Sequence, residues 1–345
     1  MKKHSIALLL LLVLLTGCGA KTEEAPWQTA YRETGKYLQE QDALSAGSVG
    51  GEWAVIGLSR AGLLSDETAQ SYEQTVEDYV KQAGSVRLHH AKSTENSRAI
   101  LGLTAAGYNA ANMAGVDLTA GLTDMAYLRA QGTNGPIWAL IALDCHGYDI
   151  PQCADGEEQT TCEGLVAEIL SYQCSDGGWA LMGDESDVDM TAMALTSLAP
   201  YQEETDIKAA VDAPLTYLSD AQQADGGFMS WGAANSESCA QVIVALTALG
   251  IDPTADSRFV KSGVSVVDAL CGFYVTGGGF RHLMADKTVD GMATEQGYYA
   301  LAAYYRLLAQ KTSLYDMSDV TVTVTPDQPV TPAKPEKPDT PRTGD

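Results

Sequence analysis

The chain runs to 345 residues and carries 45 acidic against 21 basic side chains, a formal net charge of −24. So acidic a chain argues against nucleic acid and anionic lipid headgroups as partners, because both demand a basic face. Hydrophobic residues make up 45% of it, enough to bury a core, which excludes a wholly disordered protein.

Lys2, Lys3 and His4 precede an apolar run from Ile6 to Leu15. A run that short cannot span a bilayer and reads as part of a signal peptide over residues 1–17. It ends Leu15-Thr16-Gly17-Cys18, which resembles the bacterial lipoprotein signal. The resemblance implies a lipid on Cys18 and a place on the extracellular face of the cell membrane. Residues 18–26 follow as a short polar tether.

From Trp27 to Met317 the chain repeats one plan. Ala-Leu or Gly-Leu pairs recur in small-residue apolar segments and place anchors at Leu58, Leu103, Leu143, Leu195, Leu246 and Leu301, spaced 40 to 55 residues apart. That spacing suits a helical hairpin with its loops, so six anchors predict six hairpins. Gly62, Gly107, Gly147 and Gly250 each stand four residues after an anchor, where a left-handed cap ends a helix. The fourth segment stops at Ala199-Pro200 instead, and the sixth runs on through Tyr304, Tyr305 and Arg306.

The anchor segments are small or apolar on every side, as buried helices are. Their partners are amphipathic: Tyr72, Val76, Tyr79 and Val80 form one stripe among Glu73, Glu77, Asp78 and Lys81. Buried helices alternating with half-exposed ones predict an inner and an outer layer. An open solenoid needs polar terminal repeats, and none stands out, so the expected fold is all-α, six hairpins closed into a ring.

Setting Cys18 aside, Cys153 and Cys162 bracket a polar loop and are the candidate disulfide in an exported chain. Cys174, Cys239 and Cys271 lie on or near helices, where a buried free thiol is the expectation. No metal site is expected: Asp144-Cys145-His146 suits zinc poorly, because adjacent helical side chains point apart. Residues 318–345, rich in proline and threonine, are expected to form an extended, unpacked tail. Their end, Thr340-Pro341-Arg342-Thr343-Gly344, looks like a sortase signal with threonine in place of leucine.

Gln173-Cys174-Ser175-Asp176-Gly177-Gly178-Trp179 and Gln222-Gln223-Ala224-Asp225-Gly226-Gly227-Phe228 share the pattern QxxDGG plus an aromatic, with a degenerate copy at Gly277-Gly278-Gly279-Phe280. This resembles the repeat of squalene and terpene cyclases. The resemblance implies the α/α toroid those enzymes share with protein prenyltransferases, complement thioester domains and cobalamin carriers. Other segments, such as Met292-Ala293-Thr294-Glu295-Gln296, look like those of exported Gram-positive bacterial proteins with this repeat.

Asp187-Val188-Asp189-Met190-Thr191-Ala192 is similar to the DxDDTA segment of class II cyclases, whose middle aspartate protonates an alkene. Asp189 holds that position and Asp187 the first, making them the candidate catalytic pair. Met190 replaces the last aspartate. Capping of the following helix is the alternative role for both. The prenyltransferase zinc ligands are incomplete around Gly279 to Gln296, and Gly-Cys-Gly of a thioester occurs only at Gly17-Cys18-Gly19. Gly57-Leu58-Ser59-Arg60-Ala61 misses the GxSxG elbow by one residue.

With no complete catalytic motif and no cofactor implied, the leading expectation is a concave binding site. Glu52, Glu95, Glu237 and Glu295 fall near inner-helix starts, with Trp138, Trp179 and Tyr298 in the same regions. In a toroid such starts converge on one mouth, where these residues are expected to bind a small molecule or a surface protein partner. The alternatives are a reduced cyclase acting through Asp189 and a structural adhesin or scaffold.

Overall fold

The computed structural model describes residues 24–41 and 44–323. Residues 1–23, Cys18 among them, and residues 324–345 lie outside these. Twelve α-helices among the described residues pair in chain order. The pairs are α1 (Pro26–Gln39) with α2 (Trp53–Ala61), α3 (Asp66–Ala83) with α4 (Thr94–Ala105), and α5 (Met125–Arg129) with α6 (Asn134–Asp144). They continue as α7 (Cys162–Ser171) with α8 (Val188–Leu198), α9 (Thr205–Ala221) with α10 (Ser236–Ala248), and α11 (Val266–Gly272) with α12 (Gly291–Leu308).

The even-numbered helices form the inner layer. Each contacts the next, and α12 returns to α2, so the ring closes. All six anchor leucines lie on these helices or at their ends and are buried. Their small neighbours allow close packing: Ala99 to Leu103 on α4 and Ala240 to Leu246 on α10 are buried without interruption. The odd-numbered helices form the outer layer. On α3, Tyr72, Val76 and Val80 are fully buried while Gln74 and Asp78 face water, the amphipathic split that the sequence predicts. The outer helix of the third hairpin is only a short α5 preceded by a 3-10 turn at Leu118–Leu122, which accounts for the shortest anchor spacing.

The four cap glycines take positive φ, from +65° to +87°, and end their helices as predicted. Two small antiparallel hairpins interrupt the helices: β1 (Met229–Ser230) with β2 (Ala233–Ala234), and β3 (Val260–Lys261) with β4 (Val264–Ser265).

The middle of the ring is filled. Trp53 of α2 packs on Trp138 of α6 with ring centroids 5.2 Å apart, and on Tyr299 of α12 at 6.1 Å. Because α4 separates α2 from α6 in the ring, contact between them must run through the interior, in front of α4. Tyr315, from the segment after α12, meets Trp138 edge-on at 5.8 Å. Four aromatic rings therefore plug the channel, all of them buried.

Two expectations need correction. Packed chain continues past Met317: Asp319 pairs with Arg60 and Arg306, and the Thr323 N–H donates to the Gly107 carbonyl at 2.8 Å. Residues 309–323 thus form a strap across one end of the ring, held by two buried guanidiniums that need a counter-charge. Cys153 and Cys162 are free thiols, not a disulfide. Cys153 Sγ faces the Glu157 carbonyl and Cys162 Sγ faces Asp144, so the loop they bracket is folded by other contacts.

Candidate functional site at the mouth of the ring

The QxxDGG motif builds the wall of the site and not its chemistry. Gln173 Nε2 donates to the Gly177 carbonyl within its own turn, at 2.8 Å, and to the Ala210 carbonyl of α9 in the next hairpin, at 2.9 Å. Gln222 repeats this with Gly226 and Phe259, at 2.8 and 3.0 Å. Asp176 and Asp225 each close the turn by accepting the N–H two residues on, at 3.1 Å. Gly177 needs its left-handed φ of +91°, and a Cβ there would stand 2.7 Å from that of Ala213. In the degenerate copy Tyr274 takes the glutamine's place, and its hydroxyl bonds Glu33 of α1. The last hairpin is thereby stapled to the first, where the ring closes.

Trp179 completes the motif as a core residue. It is fully buried, and its Nε1 donates to the Ile169 carbonyl of α7 at 2.7 Å. The aromatic directly after the glycines is thus fixed between layers, away from the mouth.

Asp187 and Asp189 play different parts. Asp187 is the extended N-cap of α8; its Oδ1 accepts the N–H groups of Asp189 and Met190, both at 3.0 Å, and its Oδ2 accepts Ser230 Oγ–H at 2.7 Å. The capping role applies to Asp187. Asp189 sits inside the first turn, and its Oδ1 is buried without a hydrogen-bond partner. Burial pushes its carboxyl up to about 6 against the opposing pull of the nearby Ser238 and Ser230 hydroxyls, with Asp187 and Glu237 adding repulsion.

Both carboxylates line a cavity of about 670 Å³ at the inner-helix starts. Its walls are Met193 of α8, Tyr217 of α9, Leu181 and Met182 from the loop before α8, and Met229 and Trp231 from the β1–β2 hairpin. Met182 and Trp231 stand 79% and 87% exposed on its rim. Trp231 is held out by a turn in which it takes φ of +52°, rare for an aromatic residue. Methionine fills irregular space adaptably, and a wet aromatic rim suits an amphiphilic guest. Sequence reasoning missed the methionines and Ser230, since only the fold brings the hairpin across to α8.

The other expected site residues divide. Glu52 is buried and pairs with Arg98 at 3.2 Å, and Arg98 also holds Glu95 at 2.5 Å. This is an ion-pair network in the wall, with burial pushing the Glu52 carboxyl up to about 7 despite the arginine. Glu295 is buried; its Oε1 accepts the Gly50 N–H at 2.7 Å, its Oε2 is unpaired, and burial lifts the carboxyl to about 7. It holds the 48–52 segment down beside the plug. Glu237 pairs with His282 Nδ1 at 2.8 Å. Trp138 belongs to the axial plug. Tyr298 is fully buried between layers, stacked on Tyr31 of α1 at 5.4 Å. Of the expected set, only Asp187 and Asp189 line the mouth cavity. Among the described residues no three His, Cys, Asp or Glu side chains stand close enough to share a metal ion.

No family model and no curated protein matches the chain. Solved structures do. Unsaturated glucuronyl hydrolase from Bacillus sp. GL1 is 14% identical, with a TM-score of 0.54 over 84% of this chain and 98% of that one. Candida albicans protein geranylgeranyltransferase-I, solved with GGPP, is 11% identical, with a TM-score of 0.53 over 86% and 99%. An ent-copalyl diphosphate synthase from Streptomyces platensis is 16% identical, with a TM-score of 0.46 over 80% of this chain. The present chain spans half of that synthase's length. The fold is an α/α toroid. At these identities the likeness concerns the toroid's architecture alone, and what the mouth does must be argued from its own residues.

Proposed function

We propose that this toroid is an exported, lipid-anchored binding domain that holds a small molecule, with an apolar body and a hydrogen-bond-donating group, over Asp189. The observation that carries the reading is the filled axis. With Trp53, Trp138, Tyr299 and Tyr315 in the channel, Asp189 opens onto a groove rimmed by exposed Met182 and Trp231. A cyclase must fold a polyene inside a water-free chamber, whereas Asp189 here opens onto a groove with an exposed rim. Binding needs only what the groove supplies: adaptable apolar walls and a buried acceptor lacking a partner.

Asp189→Asn separates the readings. Binding predicts a loss of affinity of about 1 to 3 kcal/mol for material captured from the native membrane and identified by mass. Because the carboxylate is the acceptor, affinity for a charged donor should also fade as pH drops through about 6. Unchanged affinity in the variant would remove Asp189 from the site.

The second reading, a reduced cyclase-type acid, is favoured by one observation: burial raises the same carboxyl towards neutrality, as a proton donor requires. It predicts that Asp189→Asn abolishes turnover of a polyprenyl substrate and leaves its affinity intact. The anchor is tested separately. A Cys18→Ala variant should be released or left unprocessed, and an N-terminal peptide without lipid mass in the wild type would end that part of the proposal.

A further inference from the structure

The toroid has a second cavity, of about 640 Å³, at the end opposite the mouth. It is bounded by the C-terminal ends of α6, α8, α10 and α12 and by the strap that follows α12. We propose that it is a binding site for a small organic cation with an apolar body, held by the carboxylate of Asp144.

The charge balance of the cavity points to a cation. Asp144 ends α6 with two neutral donors: Tyr201 Oη–H at 2.7 Å on Oδ2 and Cys162 Sγ at 3.6 Å on Oδ1. Among the described residues it forms no ion pair, whereas Glu52, Asp124 and Glu168 each have an arginine within 3.2 Å. The carboxylate thus has acceptor capacity left and no counter-charge. Four inner helices also turn their C-terminal ends to this cavity, and each macrodipole adds a partial negative charge there. Lys311 is the one basic residue of the lining, and it is exposed, with Nζ 5.7 Å from the Tyr305 ring on the outside.

The body of the ligand is set by the walls. Ile141, Val244, Leu249 and Leu314 are apolar, and Thr196 and Thr247 spend their hydroxyls on carbonyls of their own helices. Tyr201 and Tyr315 present aromatic rings to the same space, the surface an ammonium group prefers. A volume of this order matches a small-molecule site. The ligand class is therefore an arylalkyl or alkyl amine in its protonated form. This site shares no residue with the mouth cavity and does not depend on what the mouth binds.

The test is a titration of the intact protein with phenethylammonium, alongside the neutral 2-phenylethanol, followed by calorimetry and by tyrosine fluorescence. Wild type should bind the cation saturably and at least about tenfold more tightly than the alcohol, the usual order for a charge-assisted bond. Asp144→Asn should erase that preference, and Leu249→Trp, which fills the cavity without touching the carboxylate, should block both compounds. Asp189→Asn, at the mouth, should change neither. Equal affinity for cation and alcohol in wild type, a cation preference that survives in Asp144→Asn, binding lost in Asp189→Asn, or no saturable binding at millimolar concentration would each overturn the proposal. If Leu249→Trp fails to fold, the cation preference of wild type against Asp144→Asn still decides.

Discussion

Arg60, at the end of the first inner helix, donates to Asp319 Oδ1 at 2.6 Å and so ties the strap to the start of the ring. Arg306 takes the other oxygen at 2.7 Å from the end of the last inner helix. Both guanidiniums are buried, while Asp319 remains 41% exposed. Burial raises the Asp319 carboxyl, and the hydrogen bonds from Arg60 and Arg306 outweigh it, holding it down at about 2. Asp319→Asn would leave two buried cations without a counter-charge. We predict a loss of about 2 kcal/mol, the lower end for a broken buried pair because water reaches the carboxylate. A folded pKa below the unfolded one means that this contribution is present above about 4 and lost as pH falls towards 2. Urea unfolding of both proteins at pH 7 and pH 3 checks it: the gap should shrink in acid.

Gln222 is the staple whose removal is easiest to predict. It is buried, and its amide serves two carbonyls in successive hairpins. Gln222→Leu keeps the volume and leaves both carbonyls unpaired, so stability should fall by about 2 kcal/mol. An equal urea midpoint for variant and wild type would show that water takes over the bonds at no cost.

The helical plan was legible because it depends on local pattern. Apolar runs such as Ile137 to Leu143 are buried all round, and the glycines after four anchors had to be left-handed. The acids were legible as helix-start residues and not as site residues. Whether Glu52 faces a ligand or Arg98 depends on a residue 46 positions away. Aromatics were ambiguous for the same reason: Trp138 and Trp179 are equally apolar in sequence, yet one fills the axis and the other the wall. The end of the strap, residues 318–323, was misread because its composition is that of a linker, and only the distant Arg60 and Arg306 give Asp319 something to hold.

Glu52 and Glu295 should shape the stability profile in the opposite sense to Asp319. Burial raises both carboxyls from the ordinary value of 4.5 to about 7. The folded state then binds protons that the unfolded chain has released, so their favourable contribution is complete below about 4.5 and lost as pH rises through 7. Glu295→Gln removes one of the two titrations. Its stability should vary less between pH 5 and pH 8 than that of wild type, measured by thermal unfolding across that range. A slope equal to that of wild type would mean that Glu295 is solvated in the folded protein.

Asp187 offers the complement to the Asp189 experiment, because the two neighbours separate structure from recognition. Asp187 Oδ1 satisfies two of the orphan N–H groups of α8, and Oδ2 fastens the β1–β2 hairpin through Ser230. Asp187→Ala removes both functions and should cost about 1 to 2 kcal/mol, whereas Asp187→Asn, still a good cap, should cost a few tenths. The same alanine variant frees the hairpin that carries Met229 and Trp231, so the rim of the mouth loosens and ligand dissociation should quicken. Asp189→Asn should behave inversely, with little change in stability and a direct loss of affinity. Stability and dissociation rate measured on all three variants place each carboxylate. An Asp187→Ala protein as stable as wild type would show that the cap is not what holds the start of α8.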